Sequence, residues 1–255
     1  MDVLMVFSPH LDDAVLSVGA SLAAVVESEG KVVVCTVFAG DPPEPLSPAG
    51  RAFHRHCGLG DDGVAARRAE DRDAAAVLGV EVVHLPVPDC LYRRGPSGWL
   101  YDRPGASLDP GWPPEPAVAA EVARHVQRLL RVIRPAAVWT CLALGGHVDH
   151  RLCRTAVETA CAGEGITPHL WEDLPYALGT PAPAGPVTAR PVRGTHLATK
   201  LAAVERYRSQ VRVLWPDGAD WRADLLTHHA GRRTAAGGAE PLRQPAASTP
   251  SGTRS

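Results

Sequence analysis

Val3-Leu4-Met5-Val6-Phe7-Ser8-Pro9-His10-Leu11-Asp12-Asp13-Ala14 is an apolar run that ends in a polar turn. Val3 to Phe7 has the length and composition of a buried strand, and beyond the turn Val15, Leu16, Val18, Leu22, Val25 and Val26 recur at helical spacing. A strand that feeds a helix through a turn holding one histidine and two carboxylates starts an α/β unit, and ligands bind such sheets at the carboxyl edge of the strands. The pattern returns downstream. Ala136 to Cys141 reads as a strand, His147-Val148-Asp149-His150 as its polar turn, and Leu152, Cys153, Ala156, Val157, Ala160 and Cys161 as the helix that follows.

The intervening chain alternates in the same way. Lys31 to Phe38 is a β-branched run typical of a strand buried on both faces. Ala39 to Leu59 reads as a loop, and Asp61 or Asp62 caps a helix that runs to about Leu78 and closes at Gly79. Glu81 to Leu85 is a third strand. Pro86 to Pro116 is dense in Pro, Gly and Trp and reads as an insertion or lid, with Tyr92, Trp99, Tyr101 and Trp112 either covering a ligand or anchoring the loop. Val118, Val122, Val126, Leu129, Leu130 and Ile133 mark a helix that Pro135 ends. A fifth strand at Thr167–Trp171, an edge strand within Ala182–Arg193 and a last helix through Leu197, Leu201, Val204 and Val211 complete the elements. The expected fold is α/β, a Rossmann-like doubly wound, mainly parallel sheet with helices on both faces. In the order 3-2-1-4-5 strands one and four are neighbours, so the two polar turns open onto one crevice. Residues 1–230 read as a single domain, and from 231 to 255 the composition predicts a disordered tail.

Composition narrows the function. With 255 residues, 45% hydrophobic and 21% charged, the chain reads as soluble and globular. A net charge of −2 offers no basic footprint for nucleic acid or an anionic membrane. No apolar run approaches the roughly 18 residues of a membrane span. Met1-Asp2-Val3 leads straight into a strand with no basic or cleavable leader, and a cytoplasmic location is expected. The six cysteines form no CxxC pair, which argues against a disulfide framework or a four-cysteine zinc site. A nucleotide-binding module is disfavoured because no GxGxxG or P-loop pattern follows the first strand.

An aspartate at a helix start is usually a cap, and a single loop histidine is usually structural. Two His- and Asp-rich turns brought together by topology point instead to a metal. Two imidazoles and one carboxylate, with a fourth position left to water, recur at catalytic zinc sites. There the water becomes nucleophilic near neutrality, a second carboxylate serves as general base, and a further histidine stabilises an oxyanion. Asp12 and Asp13 suit a division of ligand and base between neighbours. His10-x-Asp12 with His150 also spells the facial triad of non-haem Fe(II) oxygenases, but those sites belong to all-β barrels. His54-Arg55-His56 is a spare metal motif or an exposed loop.

His10-Leu11-Asp12-Asp13 together with His147-Val148-Asp149-His150 resembles the paired signature of the LmbE-like, or PIG-L, zinc-dependent N-deacetylases, and the resemblance runs from Val3 to about Val211. It implies His10, Asp13 and His150 as ligands of Zn²⁺, with Fe²⁺ as an alternative. It further implies Asp12 as general base, His147 as electrophilic or acid partner, and Asp149 as the residue that orients a neighbouring imidazole. Arg67, in Arg67-Arg68-Ala69-Glu70, and Asp89, in Pro88-Asp89-Cys90, match substrate-binding positions. Trp171-Glu172-Asp173-Leu174-Pro175-Tyr176 resembles a stretch near the family's site without assignable roles. Leu11 and Ala14 depart from the family's His-Pro-Asp-Asp-Glu, and no implied ligand is lost. The implied reaction is hydrolysis of an N-acyl group from an amino sugar, such as a GlcNAc-containing glycoconjugate or a secondary-metabolite glycoside. The alternative within the family is an amidase of a larger thiol or sugar conjugate, like the mycothiol-conjugate amidases.

Overall fold

The structure, a computed structural model, describes residues 2–103, 105–111, 114–181, 183–184, 186–188, 191–234 and 237–245. Seven strands form the main sheet: β1 (Val3–Ser8), β2 (Lys31–Thr36), β3 (Glu81–His84), β4 (Ala137–Cys141), β5 (His169–Trp171), β6 (Val187–Thr188) and β7 (Leu242–Arg243). Their order is β3-β2-β1-β4-β5-β7-β6. The first five are parallel, with Met5 opposite Val33 on one side and Val138 on the other, as the doubly wound reading expects. Of the last two, β7 runs antiparallel to both its neighbours, β5 and β6.

Among the described residues eight α-helices accompany the sheet: α1 (Asp13–Glu27), α2 (Pro48–Cys57), α3 (Gly63–Leu78), α4 (Pro116–Ile133), α5 (Val148–Gly163), α6 (Gly194–Val204), α7 (Arg208–Leu214) and α8 (Trp221–Gly231). α1 packs on α3 and α6, while α4 and α5 pair separately. α1 is the central helix, and every residue from Asp13 to Val25 is buried. α2 lies in what reads as a loop; Ser47 caps it by accepting from Gly50 N at 2.7 Å, and Pro48 takes the first helical position, where a missing N–H costs nothing. The single helix expected around Leu197 to Val211 is two, α6 and α7, parted at Glu205–Tyr207.

The expected tail from residue 231 is corrected at residues 231–234 and 237–245. Leu242 and Arg243 add β7 between β5 and β6, and Glu240 enters the side of α1. That helix is interrupted at Val18 (φ −126°, ψ 15°), which frees two amides. Glu240 accepts from Ala20 N at 3.3 Å and Ser21 N at 2.6 Å, and it pairs with Lys200 Nζ at 2.5 Å. Lys200 also donates to Ser17 O at 3.3 Å, and it crosses at Gly19, where a Cβ would stand 3.0 Å from its Cγ. Arg232 and Arg243 clamp the buried Glu172 at 2.7 and 2.8 Å. Composition hid this segment because, Ala239 and Leu242 apart, its hold is ionic rather than apolar. Residues 246–255 of the expected tail lie outside the described residues. No helix among the described residues is long and apolar enough to cross a membrane.

Candidate metal centre

The turn after β1 is knitted by its own side chains. Ser8 Oγ donates to His10 O at 2.8 Å and accepts from Ala14 N at 3.1 Å, while Asp13 Oδ2 accepts from His10 N at 2.8 Å. Asp12 and Asp13 are thereby held at the first turn of α1, both buried. The turn after β4 passes Gly145 (φ 77°), where a Cβ would lie 2.3 Å from the Tyr176 ring, so a side chain is excluded. His147 then caps α5, its Nδ1 accepting from Asp149 N at 3.2 Å, and Asp149 and His150 fall in the first helical turn.

These turns meet. Asp13 Oδ2 lies 3.3 Å from His10 Nδ1 and 3.3 Å from His150 Nε2. The rings of His10 and His150 are 5.2 Å apart, and nitrogens of His10, His147 and His150 fall within 4.8 Å of one another. Ligands about 2.0–2.1 Å from a tetrahedral zinc stand about 3.3 Å apart, the spacing that Asp13 keeps from each of the two imidazoles. Behind the two facing histidines stand carboxylates: Asp149 Oδ2 is 3.1 Å from His10 Nε2, and Asp173 Oδ1 is 2.6 Å from His150 Nδ1. Such partners fix the tautomer and turn the opposite nitrogen towards the metal.

The electrostatics follow from burial and proximity. Burial opposes protonation of His10 and His150, yet Asp13 together with Asp149 on one ring and Asp173 on the other raises both well above the ordinary imidazole value. Burial would raise the Asp13 carboxyl, but His150 and His10 outweigh it and hold it low. Asp149 is likewise held low by Arg93 and His10 against its own burial. Asp12 goes the other way, pushed up to about 7 by burial and then by the charge of Asp13. His147 is pushed down to about 4 by burial and by His10.

Around this floor is a pocket of about 280 Å³. Asp12, His147, Arg67, Asp89 and Tyr176 line it, with Ser107 and Leu108 contributed by the 86–116 segment. Asp89 Oδ2 sits 3.6 Å from His10 Nε2 and 3.9 Å from Arg67. Every residue singled out from the two turns, from Arg67-Arg68-Ala69-Glu70 and from Pro88-Asp89-Cys90 is therefore in or behind one pocket.

Of the aromatics that either cover a ligand or anchor the loop, the three described ones anchor it. Tyr92 is buried against His54, Tyr101 donates to Glu115, and Trp99 lies under Arg94. Trp112 is outside the described residues. His54 bonds Gly60 O and Tyr92 OH, which makes the His54-Arg55-His56 motif a structural lock. Asp173 and Arg93 had no assigned role in the sequence. The signal for Asp173 was the charged pair Glu172-Asp173 directly after an apolar strand; Arg93 lies in a stretch without period and left none.

Comparison with known proteins places the chain in a family. The family model described as GlcNAc-PI de-N-acetylase, PIG-L, matches residues 5–161. The 2'-N-acetylparomamine deacetylase of Niallia circulans is 30% identical over 189 residues, covering 68% of this chain and 66% of that protein's length. The 1D-myo-inositol 2-acetamido-2-deoxy-alpha-D-glucopyranoside deacetylase 1 of Saccharopolyspora erythraea is 28% identical over 260 residues, covering 88% of this chain and 84% of that one. Among solved structures, the zinc-inhibited form of a teicoplanin deacetylase superposes with a TM-score of 0.83 at 34% identity, covering 96% of this chain and all of that one. An A40926 pseudoaglycone deacetylase gives 0.79 at 33% identity, covering 95% and 96%.

Proposed function

Because the chain belongs to the PIG-L family of de-N-acetylases, we propose that it hydrolyses the N-acetyl amide of an amino-sugar glycoside. The observation that carries this reading is the pair of carboxylate-backed imidazoles facing Asp13 at 3.3 Å each, beside a second, protonatable aspartate. His10 through Nδ1, Asp13 through Oδ2 and His150 through Nε2 would hold zinc. The ion would supply Lewis-acid polarisation of the amide carbonyl and a water acidic enough to attack near neutrality.

The chain's own groups do the rest. Asp12, with a pKa near 7, accepts a proton from the attacking water and returns it to the departing nitrogen as the C–N bond breaks. His147 is neutral at pH 7, and since its Nδ1 is engaged as an acceptor, its proton sits on Nε2. It therefore offers an N–H to the carbonyl oxygen as negative charge develops there. Arg67 and Asp89, on the pocket wall, bind sugar oxygens. The Arg67 Nε is buried without a partner among the described residues, as a donor reserved for a ligand would be.

The relatives named for paromamine, an acetamido-glucopyranoside of inositol, and teicoplanin support an amino sugar carried on a larger molecule. The test is release of free amine and acetate, in equal amounts, from N-acetylglucosamine glycosides by the zinc-loaded chain. His150→Ala is expected to lose both zinc and turnover. Intact glycosides after prolonged incubation with zinc-loaded wild type would overturn the assignment.

A further inference from the structure

The 86–116 segment sends one side chain into the wall behind the metal-binding cluster. Arg93 is 5% exposed, and its Nη2 lies 2.7 Å from Asp149 Oδ1. The guanidinium is itself fixed on every side. Glu115 grips Nε and Nη2 at 2.8 Å each, Pro88 O accepts from Nη1 at 3.2 Å, and the rings of Phe38 and Tyr101 lie 5.2 and 5.4 Å from its carbon. We propose that Arg93 is a positioning residue for the metal: it acts through Asp149 to keep His10 turned with Nδ1 towards Asp13. The proposal rests on the metal-site reading above.

The argument is one of competing acceptors. Asp149 has two oxygens; Oδ2 takes His10 Nε2 at 3.1 Å and Cys90 N at 3.0 Å, which leaves Oδ1 to Arg93. A carboxylate turns readily about its last torsion, whose wells are broad and two-fold. Without a cation on Oδ1, only the Cys90 N–H is left to hold Oδ2 at its angle to the imidazole. Asp89 Oδ2, 3.6 Å from the same His10 nitrogen, is then a rival acceptor that would draw the ring off its line to Asp13. The planar fork matters as well as the charge, because Arg93 must span Glu115 and Asp149 at once, which a lysine ammonium cannot reproduce. The stretch that looked like a cover for the pocket thus supplies part of the frame that orients a ligand.

The experiment is a zinc-affinity cycle on the full chain, with free zinc set by a competing chelator. Arg93→Gln is expected to weaken zinc binding about 10- to 100-fold, the usual cost of losing an outer-shell partner. Asp149→Asn is expected to weaken it similarly, and the double variant no further, since Arg93 acts only through Asp149. A general loss of structure would multiply the two effects. Multiplying losses, or wild-type zinc affinity in Arg93→Gln, overturns the proposal. If Arg93→Gln does not fold, Arg93→Lys, which keeps the charge and loses the fork, enters the same cycle. It is expected to weaken binding about 10-fold, with the same non-additivity. Wild-type protein that binds no zinc removes the metal-site reading first, and this inference with it.

Discussion

Two buried charged clusters in this molecule are built on opposite terms. Around His10 and His150, five buried carboxylates (Asp12, Asp13, Asp89, Asp149 and Asp173) face two buried guanidinium groups, Arg67 and Arg93. In the break of α1, one carboxylate, Glu240, meets one ammonium, Lys200, and the surplus backbone donors are satisfied as well. Buried charge is costly unless paired. The Lys200–Glu240 cluster closes its account internally and has nothing to offer a ligand. The other is left acid-rich, and its carboxylates raise the proton affinity of both histidines. An acid excess that the fold does not neutralise, lined up at ligand spacing, marks the place for a cation.

The sharpest test of that contrast is Asp12→Asn, which alters the acid-rich cluster without touching an expected ligand. Zinc content should stay at the wild-type level while kcat falls about 10²- to 10⁴-fold, the range for a lost general base. Near-normal turnover would remove Asp12 from the mechanism. The same group sets the pH dependence: turnover should rise with pH through about 7 as Asp12 loses its proton, and that limb should vanish in the variant.

On the balanced side, Glu240→Gln leaves the Lys200 ammonium at 2% exposure without its carboxylate, with Ser17 O as its remaining acceptor. Removing one partner of a buried pair costs about 3–5 kcal/mol. Urea unfolding of the metal-free chain should show a loss of that order, and a change below about 1 kcal/mol would return residues 237–245 to the status of a loose tail.

How much of this was legible divides along the same line. The turns after β1 and β4 could be read because each follows an apolar strand and precedes a periodic helix, and topology did the rest. α3 with Asp62 before it and Gly79 after it was legible for the same reason. Glu240 was not, because a single carboxylate in an Ala-, Gly- and Pro-rich stretch carries no periodicity; its partner Lys200 is distant in sequence. α2 was missed because Pro48 and Gly50 read as loop, although Pro suits a first helical turn. Arg93 was missed because its partners, Pro88 and Glu115 at the two ends of a segment without period and Asp149 beyond it, are brought together only by the fold.

Asp173 stands between the legible and the illegible, since its stretch was noticed and its role was not. It backs His150 at 2.6 Å and also accepts from Leu144 N at 3.0 Å. Asp173→Asn should weaken zinc about 10- to 100-fold, read by chelator competition, with the fold retained. An unchanged zinc affinity would reduce Asp173 to an anchor for the β4 turn.

The smallest effect expected is also the one whose sign separates the two clusters. Asp12 has a folded pKa of about 7 against an ordinary value of 3.8, so folding favours its protonated form. Below pH 4 it carries its proton in both states and costs nothing. As pH rises from 4 through 7 the unfolded chain ionises first, and above 7 the folded protein holds a desolvated charge beside Asp13. Asp12→Asn should therefore stabilise the metal-free chain at pH 8 and leave it nearly unchanged well below pH 4. Glu240→Gln destabilises at pH 8, because there the carboxylate is the partner of Lys200. A substitution that abolishes turnover yet raises stability is the behaviour of a group held in place for chemistry, and a destabilised Asp12→Asn at pH 8 would show Asp12 to be part of the framework instead.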